Sequence, residues 1–483
     1  VTAVRKHNLL VLSDVHLGSD LVQHVRPEQP QRSATSEQRD QALVALLRWY
    51  QQRRSGGLSW RLVIGGDFVD FTGMSVTAAP GTVETEPTDE ERTHGLGSAR
   101  DHTLAKVKLV FEHHRPVMQA LADFLAAGNS LVIVRGNHDV EWHWRVVQRE
   151  FRRRLARLAP IARAQLRFAP WFYYEEGLVY VEHGHQYDAA CSYEHVLFPV
   201  SPSDPRRTAR SLADVLLRYV ARPTPGMHEA GHETATLLDY LRFGARLGVR
   251  GLLALARRFA AANGALLRIW RESFGGAGRW VKRVHEQRLR ALGLAYRISA
   301  ERLHGLELLQ RPPSTLSLKA ILQSVMLDQV LLVLGGLACA GLVLATLPWP
   351  FALPGAGAVL AALEALRRAS KRQRALEPSA ALRESSARVA KLFPAAFVVM
   401  GHTHVPEMRP SADHATYVNL GAWAPEQPFA DQRPTVQASQ SHFVLVADGT
   451  KVSAQLRTWE GEAPRLLEGA PTRNGGRRDG EGE

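Results

Sequence analysis

Apolar residues fall along this chain in two rhythms. Short unbroken runs at 9–13, 62–65, 131–135, 179–182 and 397–400 read as buried strands. Helical spacing fills 40–54, 103–127, 141–163 and 378–391, and Gly128-Asn129 supplies a stop signal after the second of these. Strands that alternate with helices predict an α/β fold. Further strands are expected at 416–420, 442–446 and 452–458, completing a second sheet. Segment 72–100 is rich in Thr, Gly, Pro and Glu and shows no periodicity, so it is expected to be a loop and a lid. The helix at 141–163 is basic and carries Trp142, Trp144 and Phe151, which either line a mouth or form its core side.

The middle of the chain, 191–390, reads as helical insertion between a first domain part, 1–190, and a second, 391–460. Within it, Arg242, Arg246, Arg250 and Arg257 are spaced to share one helical face, with Leu247, Leu255 and Phe259 away from it. Such a face suits an anionic bilayer surface, or the solvated side of a bundle. No charged residue occurs from 329 to 363. The run 330–347 nearly suffices to span a hydrocarbon core. Pro348-Trp349-Pro350 predicts a turn, and a second apolar stretch at 351–366 is interrupted by Pro354-Gly355. Arg367, Arg368, Lys371, Arg372 and Arg374 come next, a cluster that belongs on the cytoplasmic side of a membrane. The apolar hairpin at 329–366 is short for two full spans, so a re-entrant or shallow hairpin is expected, or else packing inside a soluble protein. The tail 461–483 is expected to be disordered.

Polar residues stand where the strand runs stop. In chain order they are Asp14-Val15-His16, Gly66-Asp67-Phe68-Val69-Asp70, Gly136-Asn137-His138-Asp139, His183-Gly184-His185, Gly401-His402-Thr403-His404 and Asn419-Leu420-Gly421. A side chain just past a strand end is held rigidly and faces the crevice where open α/β sheets bind ligands. Asp, His and Asn without Cys form a hard-to-borderline ligand set, suited to Mn, Fe, Zn or Mg. A lone histidine at a strand end is more often a core residue; His16, His183, His402 and His404 together with acidic and amide partners are poorly explained that way.

Order and spacing resemble the calcineurin-like metallophosphoesterase superfamily, whose blocks are D-x-H, GDxxD, GNH[DE], H and GHxH. The resemblance covers about 7–190 and 390–460. It implies a four-layer α-β-β-α sandwich, here with a large helical, membrane-associating insertion. It also implies two divalent metal ions: Asp14, His16 and His404 on one, Asn137, His183 and His402 on the other, and Asp67 bridging. A shared carboxylate offsets the repulsion of cations roughly 3.5–4 Å apart, and a water between them serves as nucleophile. His138 is then expected to face the substrate and stabilise charge or protonate the leaving group, with Asp139 orienting it. Asp70 is expected to fix a loop, His185 to touch substrate or cap its loop, and the Asn419–Trp423 stretch to shape packing. One related group cleaves the pyrophosphate of a UDP-linked diacylglucosamine, but commonly reads GNRD where this chain has Gly136-Asn137-His138-Asp139, and lacks the insertion.

Charge and topology narrow the setting. A net charge of +13 favours an anionic partner: nucleic acid, anionic lipid or a phosphorylated substrate. Cys191 and Cys339, far apart, give no disulfide framework, which suits a reducing compartment, and Cys339 is expected to pack as a small hydrophobe. Segment 1–7 runs straight into the first strand, so no signal peptide is expected, although a start at Val1 leaves a leader open. Five expected ligands precede the apolar run and two come after it, so the chain must enter and leave a membrane on one side or never cross it. The expected function is hydrolysis of a phosphoester or pyrophosphate bond on a membrane-lipid-linked substrate at the cytoplasmic face of the inner (plasma) membrane. The alternatives are a soluble cytoplasmic phosphodiesterase or nuclease, and a non-catalytic membrane scaffold. Against a nuclease, the insertion offers no interleaved aromatics for base stacking.

Overall fold

Alternation inside the apolar runs decides how the sheets stack. The structure, a computed structural model, describes residues 6–27, 32–79, 81–161, 163–227, 237–324, 327–374, 378–411, 415–424, 439–448, 451–467 and 473–475. Its strands are β1 (His7–Leu12), β2 (Ser59–Gly65), β3 (Ser130–Val134), β4 (Leu166–Ala169), β5 (Phe172–Glu175), β6 (Val179–Glu182), β7 (Phe397–Met400), β8 (Glu407–Pro410), β9 (Thr416–Asn419), β10 (Ser441–Asp448), β11 (Lys451–Trp459), β12 (Pro464–Leu466) and β13 (Arg473–Gly475). One sheet runs β12-β11-β10-β1-β2-β3-β4, with β13 also on β11, and the other runs β5-β6-β7-β9-β8. Strands β1 to β4 are parallel, as are β6, β7 and β9.

Leu9 and Val11 of β1, Val63 of β2, and Val132 and Val134 of β3 point between the sheets, against Val179, Val181, Val399 and Val418. Their neighbours Leu10, Leu12, Leu62, Ile64, Leu131 and Ile133 point outward into a second core. Both faces of these strands are covered, which is why the runs are continuous rather than alternating.

Helices α1 (Ala34–Gln52), α2 (Asp89–His94), α3 (Arg100–His113), α4 (Arg115–Ala126) and α5 (Arg145–Leu158) lie before β4. Of these, α1, α3, α4 and α5 cover the outer face of the first sheet. The helix expected at 103–127 is two helices, because Pro116 stands at the start of α4 and cannot continue the helix before it. Trp142 and Phe151 are buried in this core, so the basic helix turns its aromatic side inward. The insertion holds α6 (Leu212–Leu216), α7 (Leu237–Arg246), α8 (Gly248–Ser273), α9 (Gly276–Tyr296), α10 (Ala300–Leu309), α11 (Leu318–Ser324), α12 (Leu327–Thr346) and α13 (Trp349–Arg374), and α14 (Pro378–Leu392) leads into β7. Leu292 of α9 and Leu303 and Leu306 of α10 join Leu382, Val389 and Phe393 against the second sheet. Insertion helices therefore share with α14 the fourth layer of the sandwich.

Several expectations change. The strands expected at 442–446 and 452–458 are β10 and β11, and they extend the first sheet beside β1, not the second. The tail expected to be disordered contributes β12 and β13 to β11, and its other residues beyond 467 lie outside the described ones. The single arginine face is broken: Gly248, at φ +70°, ends one helix and begins the next, so Arg242 and Arg246 sit on α7 and Arg250 and Arg257 on α8. The loop 72–100 contains α2, whose Thr88 and Glu91 form a reciprocal capping box. It is pinned rather than loose: Arg207 pairs with Glu91 at 2.6 Å and Arg210 with Glu90 at 2.8 Å. Arg218 also binds Glu90 and the Gly95 carbonyl.

The two helices of the hairpin run beyond the apolar stretch at both ends. Helix α12 has 20 residues and α13 has 26, about 30 and 39 Å at 1.5 Å per residue. Pro354 lies inside α13 without ending it, because it falls in the first turns, where few backbone bonds are lost. Trp349 is 79% exposed, Phe351 68% and Leu353 66%. Neither cysteine is in a disulfide; Cys191 is buried, whereas Cys339, on α12, is exposed rather than packed.

Candidate metal centre

Strand ends place the polar residues, and the backbone there is strained. Asp14 and His16 lie just past β1, Asp67 past β2, Asn137 past β3, His183 past β6, and His402 and His404 past β7. Among the described residues seven non-glycine positions have positive φ, and five of them are Asp14 (54°), His16 (50°), Asp67 (51°), His402 (70°) and His404 (58°). Each such position costs about 1–3 kcal/mol and persists only where the surroundings dictate it. Close approach adds to the constraint. A Cβ on Gly136 would stand 2.1 Å from Asp67 Oδ1, and one on Gly401 2.3 Å from Asp14 Oδ2.

The side chains converge in two overlapping groups. Asp14 Oδ1 is 3.1 Å from His404 Nε2 and 3.9 Å from His16 Nε2. Asp67 Oδ2 is 3.8 Å from His16 Nε2 and 3.1 Å from His183 Nε2, so this one carboxylate lies between both groups. Asn137 Oδ1 is 3.0 Å from His183 Nε2. Ligating atoms of Asp14, His16 and His404, and of Asp14, Asp67 and His183, lie within 4.8 Å of one another.

These residues fit a pair of divalent cations. His16 Nε2 is buried and makes no hydrogen bond, an orphaned lone pair between two carboxylates. The His183 Nδ1–H donates to the Gly65 carbonyl at 3.0 Å, which leaves Nε2 as the ligating atom. Burial opposes charge on His183, yet Asp67 and Asp14 raise its pKa to about 9, so the pocket attracts positive charge. Burial opposes ionisation of Asp14 too, and His183 and His404 hold its carboxyl at about 2. Burial, then His138, pushes His16 down to about 4, keeping it neutral as a ligand must be.

Three expected placements come out differently. His402 stands edge-on to His183, ring centroids 5.3 Å apart, but its Nε2 meets Asp188 Oδ2 at 3.0 Å, so a lone pair for a metal would have to come from Nδ1. Asp139 does not orient His138. Its Oδ1 accepts from the Gly136 N–H at 2.7 Å, and its Oδ2 from the Phe68 N–H at 2.9 Å and the Trp142 indole at 3.0 Å. It ties the loops after β2 and β3 together, and those three donors leave it no geometry for the imidazole. Burial and Asp67 raise its pKa to about 7. Asp70 takes the orienting place: His138 Nδ1 is 2.7 Å from its Oδ1, which also accepts from the Gly73 N–H at 2.7 Å. His185 is buried, its Nδ1 makes no hydrogen bond, and burial, then His183, holds its pKa well below the usual value.

Asn419 fastens the last loop, donating to the Gly401 carbonyl and Thr403 Oγ1, both at 2.9 Å, and Trp423 N–H donates to the Asp14 carbonyl at 3.0 Å. Sequence reasoning missed Asp188, Tyr193 and Arg222. Tyr193 donates to Asp214 at 2.7 Å and lies 3.1 Å from the Asn137 carbonyl, and Arg222 pairs with Asp70 at 2.9 Å. Asp188 lies five residues past His183, near enough to have been suspected. Arg222 is 152 residues from Asp70, with no local pattern to mark it.

No curated protein matches the chain. The family model of calcineurin-like phosphoesterases matches residues 7–236, which take in the first five of the converging side chains. With that match and this cluster of carboxylates and imidazoles, the chain carries a calcineurin-like phosphoesterase domain, a hydrolase of phosphate esters that works with a dinuclear divalent metal centre.

Proposed function

We propose that this protein hydrolyses a phosphoester or pyrophosphate bond of a lipid-linked substrate at the cytoplasmic face of a membrane. The observation that carries the reading is the exposed apolar hairpin in the same chain as the metal centre. Soluble monomers rarely expose contiguous apolar patches beyond a few hundred Å². Here Leu334, Leu337, Leu342, Leu344, Trp349, Phe351 and Leu353 are all exposed on two packed helices. Helix α12 is about 30 Å long with an apolar part from Leu332 to Thr346, and Trp349–Leu366 of α13 is long and apolar enough to cross a hydrocarbon core, which puts Trp349, at the turn, near the far interface where tryptophan is favoured. Arg368 then stays at the near interface. Exposed Val249, Leu252 and Leu253, beside Arg250 and Arg257 at the start of α8, add a second contact suited to anionic lipid.

Within the crevice, Asp14, His16 and His404 would hold one metal, Asn137, His183 and His402 the other, and Asp67 would serve both. When bound, the two ions supply Lewis acidity and a nucleophile at neutral pH. His138, held by Asp70, presents Nε2 to the leaving oxygen and gives it a proton as the bond to phosphorus breaks. Asp188 keeps the His402 ring in place, and Asp139 keeps the loops carrying Asp67 and Asn137 together.

The test replaces 329–366 by a short Gly/Ser bridge. The bridged protein should leave the membrane fraction, keep its metal, and still hydrolyse a small aryl phosphate or phosphodiester, while hydrolysis of lipid pyrophosphates in vesicles falls much further. Full-length protein that is monomeric without detergent and ignores vesicles would sink the membrane reading.

A further inference from the structure

The insertion reaches into the catalytic crevice as well as outward. Its helix α6 passes into a π-helical turn, Leu217–Ala221, in which the Arg222 N–H bonds the Leu217 carbonyl at 2.9 Å, five residues back. A π-turn adds a residue to the helical path and so re-aims the chain beyond it. Arg222 is the residue re-aimed here. Its guanidinium lies 2.9 Å from Asp70 Oδ2 and donates to the Ser19 carbonyl at 2.8 Å, in the loop just past His16.

We propose that Arg222 is a positioning residue for the hydrolysis: it locks the Asp70 carboxylate in the orientation that presents His138, so the insertion completes the catalytic site. This rests on the reading of His138 as the group that serves the leaving oxygen.

The two oxygens of Asp70 are divided between two tasks. Oδ1 holds His138 and the Gly73 N–H, and Oδ2 holds Arg222. Asp70 is fully buried, and a buried carboxylate is costly unless both oxygens are paired. Without Arg222, His138 and Gly73 pull on one oxygen alone, and the carboxylate can turn about its Cβ–Cγ bond and carry the imidazole with it. The approach depends on glycine. A Cβ on Gly73 would fall 2.1 Å from Asp70 Oδ2 and 2.3 Å from a terminal nitrogen of Arg222.

Capping of this helix end does not depend on the Arg222 side chain. The end of this helix is closed by Arg26 of the catalytic domain, which donates to the carbonyls of Arg222 (2.6 Å), Ala221 (2.8 Å), Thr224 (2.8 Å) and Met227 (2.9 Å). Those bonds use the backbone of residue 222 and survive any change of its side chain.

The experiment uses the full-length protein and a series of aryl substrates with graded leaving groups. Arg222→Ala should keep both metals and lower kcat by about 10- to 100-fold with KM nearly unchanged, the usual cost of removing an orienting partner. The loss should steepen as the leaving group becomes poorer. It should nearly vanish when His138 is already alanine, because the two residues act as one unit. Arg222→Lys should recover part of the rate, and Gly73→Ala should reproduce the loss by displacing the same pair. A loss that is equal for every leaving group, or that multiplies with the loss from His138→Ala, overturns the assignment of Arg222. If His138→Ala itself shows no dependence on the leaving group, the reading of His138 falls first and the proposal with it.

Discussion

The metal crevice and the apolar hairpin are built from similar runs of Leu, Val and Ala, and solvent meets them in opposite ways. Leu9, Leu10, Val11 and Leu12 of β1 are completely buried, whereas Leu334 is 59% exposed and Trp349 79%. The strands end in side chains held at strained backbone angles by packing on both faces. The hairpin helices pack mainly on each other and on α11. Apolar surface is therefore used in one region to fix geometry to fractions of an ångström. In the other it is left exposed among the described residues, the kind of surface that marks a site of interaction.

That contrast can be broken at several points. The largest effect belongs to Asp67→Ala. Removing the carboxylate between both groups should release metal and leave less than about a thousandth of the activity, since a dinuclear site without its bridge loses its clamp. Two metals per chain by elemental analysis after this change would refute the assignment. His138→Ala should cost about two to four orders of magnitude in kcat while retaining metal and fold. Metal loss on that substitution would make it a ligand instead.

Asp70→Asn and Asp139→Asn separate two neighbouring carboxylates. Asp70→Asn should act on kcat, by about 10- to 100-fold. Asp139→Asn should act on stability, because its amide nitrogen replaces one carboxylate oxygen and cannot accept from what that oxygen served, either the Gly136 N–H or the Phe68 N–H with the Trp142 indole. A penalty of about 1–3 kcal/mol per buried donor left unpaired is expected in denaturant unfolding. The reverse pattern, with Asp139 controlling rate and Asp70 stability, would restore Asp139 to the orienting role.

The smallest effect reads the hairpin directly. Each region carries one cysteine outside any disulfide, Cys191 buried beside His402 and Cys339 exposed on α12. In a Cys191→Ser background, a water-soluble maleimide should react readily with Cys339 in protein stripped of lipid. On anionic vesicles the reaction should slow by about tenfold or more, as partition into hydrocarbon removes the thiol from water. Undiminished labelling on vesicles would place the hairpin in solvent or against protein.

The sequence by itself determined the chemistry and the places of the strands. Unbroken apolar runs mark strands covered on both faces, and six polar motifs stand just past strand ends, so the ligand set and its order are local properties. It also determined that the chain must return to one side of any membrane, since ligands lie on both sides of the apolar run. It held a signal for α2, the Thr88–Glu91 capping pattern, which was obscured by the irregular residues around it. Tertiary structure alone decided the partners. Asp70 rather than Asp139 reaches His138, because the turn closed by Gly73 aims Asp70 into the crevice while Asp139 is spent on backbone donors. β10 and β11 join the first sheet because the side of β1 away from β2 takes them, a choice no strand pattern encodes. Arg222 arrives from a helix 152 residues away. A charge-pair partner at that separation leaves no periodicity and no spacing rule in the chain, and only the folded packing of the insertion on the sandwich brings it to the carboxylate.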